Sequence, residues 1–311
     1  MAHVEKRVGR NAIAATLLVL VLALADLIGH MAHAATAPSQ KTATRSAAAV
    51  SVSKVLAIIE ENHSLAQMSA GMPYLYGLAR RYGYATNYTA IRHPSEPNYL
   101  AIAGGSTFGD TADHNPAFQV AGRSVFGQAV PAGKAARLYA ESMTTACQQN
   151  SAGSYAVKHN PWASFADERN ICKARDLPLG TPSTGALISD VNRGTLPNVG
   201  MIVPNICNDA HDCSLRTADN WLRVWLPRIL AGSDFTSGRL AVVVTADEDD
   251  RNSGNKVLTV VMHRSLDGHH LVVSSSLSHY SLTRLYDWAI GSALLGNART
   301  APDMRAAFRL P

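Results

Sequence analysis

The sequence predicts an α/β fold with a mostly parallel central sheet between helices. Three observations predict it. Several short runs are nearly continuous in β-branched and aliphatic residues, as strands covered on both faces are. Stretches with apolar residues at helical spacing lie between those runs, which argues for a layered α/β arrangement. Acids, amides and a histidine follow three of the runs, and open α/β sheets bind ligands beyond the carboxyl ends of their strands.

In chain order, the expected strands are Val55–Ile59, Ala136–Tyr139 (weaker), Val199–Val203, Leu240–Thr245 and Val257–Met262, with Ala85–Ala90 as another candidate. The expected helices are Pro73–Tyr82, Asp219–Leu230 and His279–Leu295. Pro227 is expected to kink or end the first part of the second helix. Ser278 is a suitable cap for the third.

The chain starts with Lys6, Arg7 and Arg10, then an apolar run from about Ala14 to Ala25, then Ala32-His33-Ala34. That order reads as a secretory signal peptide over residues 1–34, cut after Ala34. The apolar run is short for a spanning helix, so no stable transmembrane segment is expected after processing. The protein is then secreted, to the medium or the cell envelope. Residues 35–50 are small and polar and read as a flexible linker. Residues 51–311 show no composition break and read as one catalytic domain.

Hydrophobic residues make up 47% and charged residues 16%, a globular balance. The net charge of +5 favours anionic substrates, but no basic run with interleaved aromatics points to nucleic acid. Four cysteines in an exported chain suggest two disulfides. Cys147–Cys172 and Cys207–Cys213 are favoured because each closes a local loop. The sequence sets no oligomeric state.

The polar segments carry the chemistry. In His93-Pro94-Ser95-Glu96-Pro97-Asn98-Tyr99-Leu100, Pro97 suits a first helical turn and places Ser95 at a helix N-terminus. Free N–H groups and the positive dipole end there suit a phosphate and an alkoxide, although Ser95 could equally be a simple cap. Glu61 and Asn62, after the first strand, are hard oxygen ligands, as are the adjacent acids Asp247 and Glu248. Two close acids repel unless a cation lies between them. Asp249 and Asp250 are expected to face solvent or to support that pair. His211, among acids in Asn208-Asp209-Ala210-His211-Asp212, suits a general acid, and His159 is a second candidate for that role. His279 reads as structural, and His263, His269 and His270 as surface or turn residues.

Six blocks, VLAIIEENHS, HPSEPNYLAIAGG, KHNPW, PNICNDAHDC, VVVTADEDD and HYSLTRLYDWAIG, resemble the phosphoesterase family of the alkaline phosphatase superfamily. That family includes secreted acid phosphatases and bacterial phospholipases C. The resemblance implies an alkaline phosphatase-like fold. It implies Ser95 as nucleophile, passing through a phosphoserine. It implies one divalent metal ion, calcium, magnesium or manganese, on Glu61, Asn62, Ser95, Asp247 and Glu248. It places His159 and His211 near the phosphate as catalytic residues and Lys158 and Asn98 as substrate contacts. The implied activity is acid phosphatase hydrolysis of phosphate monoesters, with phosphatidylinositol 3-phosphate and other phosphoinositide lipids among the candidate substrates. Leu65 stands where phospholipase relatives carry an aromatic, and the chain lacks their extra C-terminal domains. Both features favour the compact phosphatase branch. Ala246 departs from an aromatic that is common before the first acid of the pair. Two alternatives are a phospholipase C-type diesterase and a non-catalytic phosphoinositide- or anion-binding protein.

Overall fold

The computed structural model describes Val50–Pro311. The signal peptide and all of the linker except Val50 lie outside the described residues. Among the described residues there are ten strands: β1 Lys54–Glu60, β2 Gly83–Ala85, β3 Tyr88–Thr89, β4 Ala136–Ala140, β5 Asp176–Pro178, β6 Val199–Val203, β7 Leu240–Ala246, β8 Thr259–Met262, β9 Leu271–Val273 and β10 Leu277–Ser278. Eight form one sheet in the order β5-β4-β6-β1-β7-β8-β2-β9, and β3 pairs with β10. Only β8 runs against the other strands of the large sheet. Its uninterrupted apolar stretch reads as buried on both faces, which burial satisfies with either direction.

The central strands form because their side chains leave water on both faces. Every residue from Val55 to Glu60 is buried, as is every residue of β6 and β7. Each such aliphatic side chain contributes roughly 1.5–3 kcal/mol when fully buried. Two groups of helices flank the sheet. Ser95–Gly104 packs on His279–Ile290, and Pro73–Arg81 packs on Leu215–Ala231.

The helix Leu215–Ala231 runs through Pro227, so of the two outcomes expected there, a kink or an end, the end does not occur. Its buried face of Trp221, Leu222, Trp225, Leu226 and Ile229 holds it to the core and outweighs the missing N–H. The last long helix is shorter than expected, stopping at Ile290 before Gly291 in the left-handed region. The Ala85–Ala90 candidate splits into β2 and β3. Both expected disulfides are present, Cys147–Cys172 and Cys207–Cys213.

Register positions the site. β1 and β7 are parallel neighbours with Glu60 opposite Ala246. Glu61 and Asp247 therefore leave adjacent strands at the same level, on the carboxyl edge. β6, on the other side of β1, pairs Ile202 with Ile58 and feeds its following loop to the same edge.

Candidate active site

Ser95 is the first residue of the helix Ser95–Gly104, and Pro94, not Ser95, is its cap. The serine hydroxyl makes no cap bond. It is buried and donates to Glu61 Oε2 at 3.0 Å. Asp247 lies close by, near enough for the hydroxyl to pull against the upward push of burial on that carboxyl. The serine thus lies between the two acids that end β1 and β7. At the helix's other end Gly105 takes φ +69°, where a Cβ would come within 2.4 Å of the Leu295 carbonyl oxygen.

Glu61 is tied on several sides. Tyr99 Oη donates to its Oε1 at 2.7 Å, and its backbone N–H donates to the Asp209 carbonyl at 2.8 Å. Asn62, at φ +54°, donates its backbone N–H to Asp247 Oδ1 at 3.1 Å. Asp247 Oδ1 also accepts from Glu248 N–H at 2.6 Å, while Asp247 Oδ2 is buried with no partner. Burial raises Glu61 well above the usual carboxylate range, and the charges of Asp247 and Asp209 add to it. Burial pushes Asp247 up to about 7. Burial, then the Asp247 charge, pushes Glu248 up to about 9. Uncompensated negative charge therefore crowds this edge, and a cation would relieve it. The hard oxygens of Glu61, Asn62, Ser95, Asp247 and Glu248, with one orphaned oxygen among them, fit a divalent metal.

His159 is buried between two acids. Its Nδ1 is 3.1 Å from Asp209 Oδ2 and its Nε2 3.1 Å from Glu61 Oε1, the latter too misaligned for a hydrogen bond. Its ring stacks on Tyr99, with centroids 5.1 Å apart. Burial drives its pKa well below normal, and Lys158 and His211 push the same way. His159 is buried to the same degree as Ser95, against Glu61. His211 is 28% exposed, with Nδ1 2.7 Å from Asp212 Oδ1 and Nε2 3.2 Å from Lys158 Nζ. The ammonium can only donate, so His211 Nε2 accepts and the ring proton sits on Nδ1. Glu61, His159 and His211 also bring ligand atoms within 4.8 Å of one another, a set that the sequence reading did not group.

Lys158 lies beside His211, and its Nζ donates to Asp113 Oδ2 at 2.8 Å. Burial works against the Lys158 charge, but Asp113 and Glu61 outweigh it and raise the pKa. Asn98 is placed differently from the expected substrate contact. Its Oδ1 accepts from the Ile91 and Arg92 N–H groups. Its Nδ2 donates to the carbonyls of Arg92 and Pro94 and to Glu248 Oε2. Fully buried and fully bonded, it has no donor left for a substrate and instead shapes the loop before Ser95.

Asp249 is buried, not at the surface. It accepts from the N–H groups of Arg251, Ser253 and Asn255 and so folds the loop after β7. His279 is structural as expected, with Nε2 on the Asp247 carbonyl at 2.5 Å and Nδ1 3.1 Å from Tyr88 Oη. His263 caps the turn Arg264–Leu266, as the turn reading expected, and is buried with Nε2 2.9 Å from the Gly238 carbonyl. Reasoning from sequence missed Tyr99 and Asp113. Tyr99 follows Ser95 by one helical turn, so the i,i+4 spacing carried the signal. Asp113 lies in an irregular loop and had none.

A family model for the phosphoesterase family matches residues 60–253, which contain all five expected metal-site residues, Ser95 among them. A phosphatidylinositol-3-phosphatase of Mycobacterium tuberculosis is 32% identical over 80% of this chain and 81% of its own length. The chain belongs to the phosphoesterase family. A phosphate-repressible acid phosphatase of Penicillium chrysogenum is 30% identical over 68% of this chain, which spans only 55% of that relative. Among solved structures, an alkaline phosphatase superfamily protein from Vibrio parahaemolyticus superposes with a TM-score of 0.55 at 10% identity, covering 83% of this chain and 72% of its own. That likeness carries the fold: a largely parallel sheet flanked by helices.

Proposed function

We propose that this phosphoesterase hydrolyses phosphate monoesters with Ser95 as nucleophile and a divalent metal at the Glu61–Asp247 edge. The observation that carries the reading is the Ser95 hydroxyl, buried at a helix N-terminus and bonded to Glu61 Oε2 at 3.0 Å. The names of the mycobacterial and fungal relatives support the same reaction class.

Glu61, Asn62, Ser95, Asp247 and Glu248 would hold the metal, whose positive charge favours the serine alkoxide and offsets phosphate charge. Ser95 Oγ attacks phosphorus in line while its proton passes towards Glu61 Oε2. Lys158 exchanges Asp113 for a phosphate oxygen, a charge-assisted bond. His211, exposed and next to Lys158, is the group placed to give the departing alcohol a proton. This step needs His211 to gain a proton at Nε2, where the lone pair now faces Lys158. Tyr99 and His159 hold Glu61 and exclude water from behind it. Water then opens the phosphoserine, giving its proton to His211, while the departing Ser95 oxygen recovers its proton from Glu61. Positioning and electrostatics supply most of the rate in such transfers.

Phosphatidylinositol 3-phosphate is the first lipid substrate to try, on the strength of the mycobacterial relative's name. Export through a cleaved leader fits the two disulfides. The test is hydrolysis of p-nitrophenyl phosphate by residues 35–311, with and without chelator, beside Ser95→Ala and a lecithin-type diester. Monoester turnover that chelation reduces and Ser95→Ala abolishes is the expected result. Unchanged turnover in Ser95→Ala overturns the reading, and turnover of the diester alone moves the protein to the phospholipase C class.

A further inference from the structure

We propose that Glu96, Asp110 and His114 form a second divalent-cation site, of the kind that takes zinc, separate from the residues that hold the metal at Ser95. Glu96 lies in the first turn of the Ser95 helix and is 1% exposed. Asp110 and His114 come from the irregular loop that follows this helix. Glu96 Oε2 and His114 Nδ1 are 2.9 Å apart, and His114 Nδ1 and Asp110 Oδ1 are 3.6 Å apart. One ligand atom from each of the three lies within 4.8 Å of the others. Zinc bonds to nitrogen and oxygen of 2.0–2.2 Å set tetrahedral ligand separations of about 3.4 Å, and the two measured gaps bracket that value.

The independent observation is Asp110. It is 3% exposed, and its Oδ2 is buried without any partner. An imidazolium between two carboxylates would bond Glu96 and leave that oxygen unsatisfied, at a cost of about 1–3 kcal/mol. A cation bound by Asp110 through both carboxylate oxygens would satisfy it. The rest of the cluster is already fixed. Glu96 Oε2 also accepts from His114 N–H at 2.7 Å, and Glu96 Oε1 accepts from Phe118 N–H at 3.3 Å and Ser164 Oγ at 3.5 Å. Asp110 Oδ1 accepts from Ala112 N–H at 3.1 Å. The His114 ring stacks on Phe118 with centroids 4.8 Å apart, which sets its plane. The imidazole side chain is 35% exposed, so water can complete the coordination. One imidazole and two carboxylates are a zinc-type donor set, softer than the all-oxygen set at Ser95. The bound ion would clamp the 106–118 loop, which also carries Asp113, to the helix that presents Ser95.

None of these three residues belongs to the proposed Ser95 metal set, so the two sites can be tested apart. The purified protein is stripped with a chelator, titrated with zinc chloride by calorimetry, and assayed for zinc per chain after desalting. This is done for the wild type and for a Glu61→Gln/Asp247→Asn background that removes the first site. The expected result is one zinc in that background, lost or weakened at least about tenfold by Asp110→Asn and by His114→Gln. The zinc-dependent rise in Tm disappears with it. Asp110→Asn is isosteric and His114→Gln is partly exposed, so at least one variant keeps the fold, verified by circular dichroism. No zinc in the background, or unchanged stoichiometry and affinity in both variants, overturns the proposal.

Discussion

Glu61 accepts from both Ser95 Oγ and Tyr99 Oη, so the acid's position depends on the tyrosine as much as on its own strand. Tyr99→Phe removes a donor to a buried carboxylate, and the unfilled acceptor costs about 1–3 kcal/mol. The expected outcome is a lower Tm and a reduced kcat with little change in KM, read from thermal melts and steady-state kinetics. Lys158→Ala should act the other way. It removes a charged donor from the phosphate and raises KM about tenfold with a smaller effect on kcat. A Lys158→Ala enzyme with unchanged KM would show that the Asp113–Lys158 pair is structural and never opens to substrate. The sequence singled out Ser95, Glu61, Asp247 and His211 because each sits in a short polar block at the end of an apolar run, and the fold brings the first three to one sheet edge. Asn98 was misread because its chemistry suits a phosphate donor. Only the fold shows that five protein groups already consume its amide.

Between elements, the site depends on how the helices close around the sheet. The helix Val125–Ala129 meets the segment after Trp162 at Glu168, whose carboxylate accepts from Ser124 N–H at 2.8 Å and Trp162 Nε1 at 2.9 Å. A Cβ on Gly127 would fall 1.8 Å from Glu168 Oε1, so the carboxylate would have to leave its bonds to Ser124 and Trp162. Gly127→Ala should therefore destabilise the protein by about 2 kcal/mol or more, despite alanine's better helix propensity. A denaturant midpoint equal to wild type would contradict this packing. The central strands were readable from their continuous apolar runs. The short elements were not: β5 and β9 have three residues each, and the helices Arg169–Arg175 and Ala186–Arg193 carry mixed sequences. Tertiary contact, not local pattern, makes these segments regular. The same reason explains why the helix does not end at Pro227, where core contacts on one face carry it on.

For the whole molecule, buried acids away from the site set the dependence of stability on pH. Burial pushes Asp176 up to about 7, with the Asn160 side chain pulling against the shift. Its carboxyl holds a proton to higher pH when folded than when unfolded. Its contribution is therefore full below its ordinary value of 3.8 and is lost as pH rises through about 7. Burial likewise pushes Asp287 up to about 7, so it acts in the same window and with the same sign. Stability should fall between pH 5 and 7.5 by up to about 2.5 kcal/mol for each such acid, and Asp176→Asn should flatten its share. Urea denaturation across that range checks it, and an identical slope in Asp176→Asn would contradict it. Reduction should weaken the fold as well. The Cys147–Cys172 bond closes a loop with a sequence separation of 25, against 6 for Cys207–Cys213. Opening the first should cost about 3 kcal/mol and the second less, as melts of Cys→Ser pairs would show.

The most direct measurement is to trap the covalent intermediate. The enzyme is mixed with a phosphate monoester, quenched in acid within its steady state and digested, and the peptide around His93–Gly105 is analysed by mass spectrometry. The account predicts a phosphate on Ser95 that chases away when the quench is delayed past substrate exhaustion. An active enzyme that shows no phosphorylated peptide at any quench time, or carries the phosphate on another residue, would contradict it.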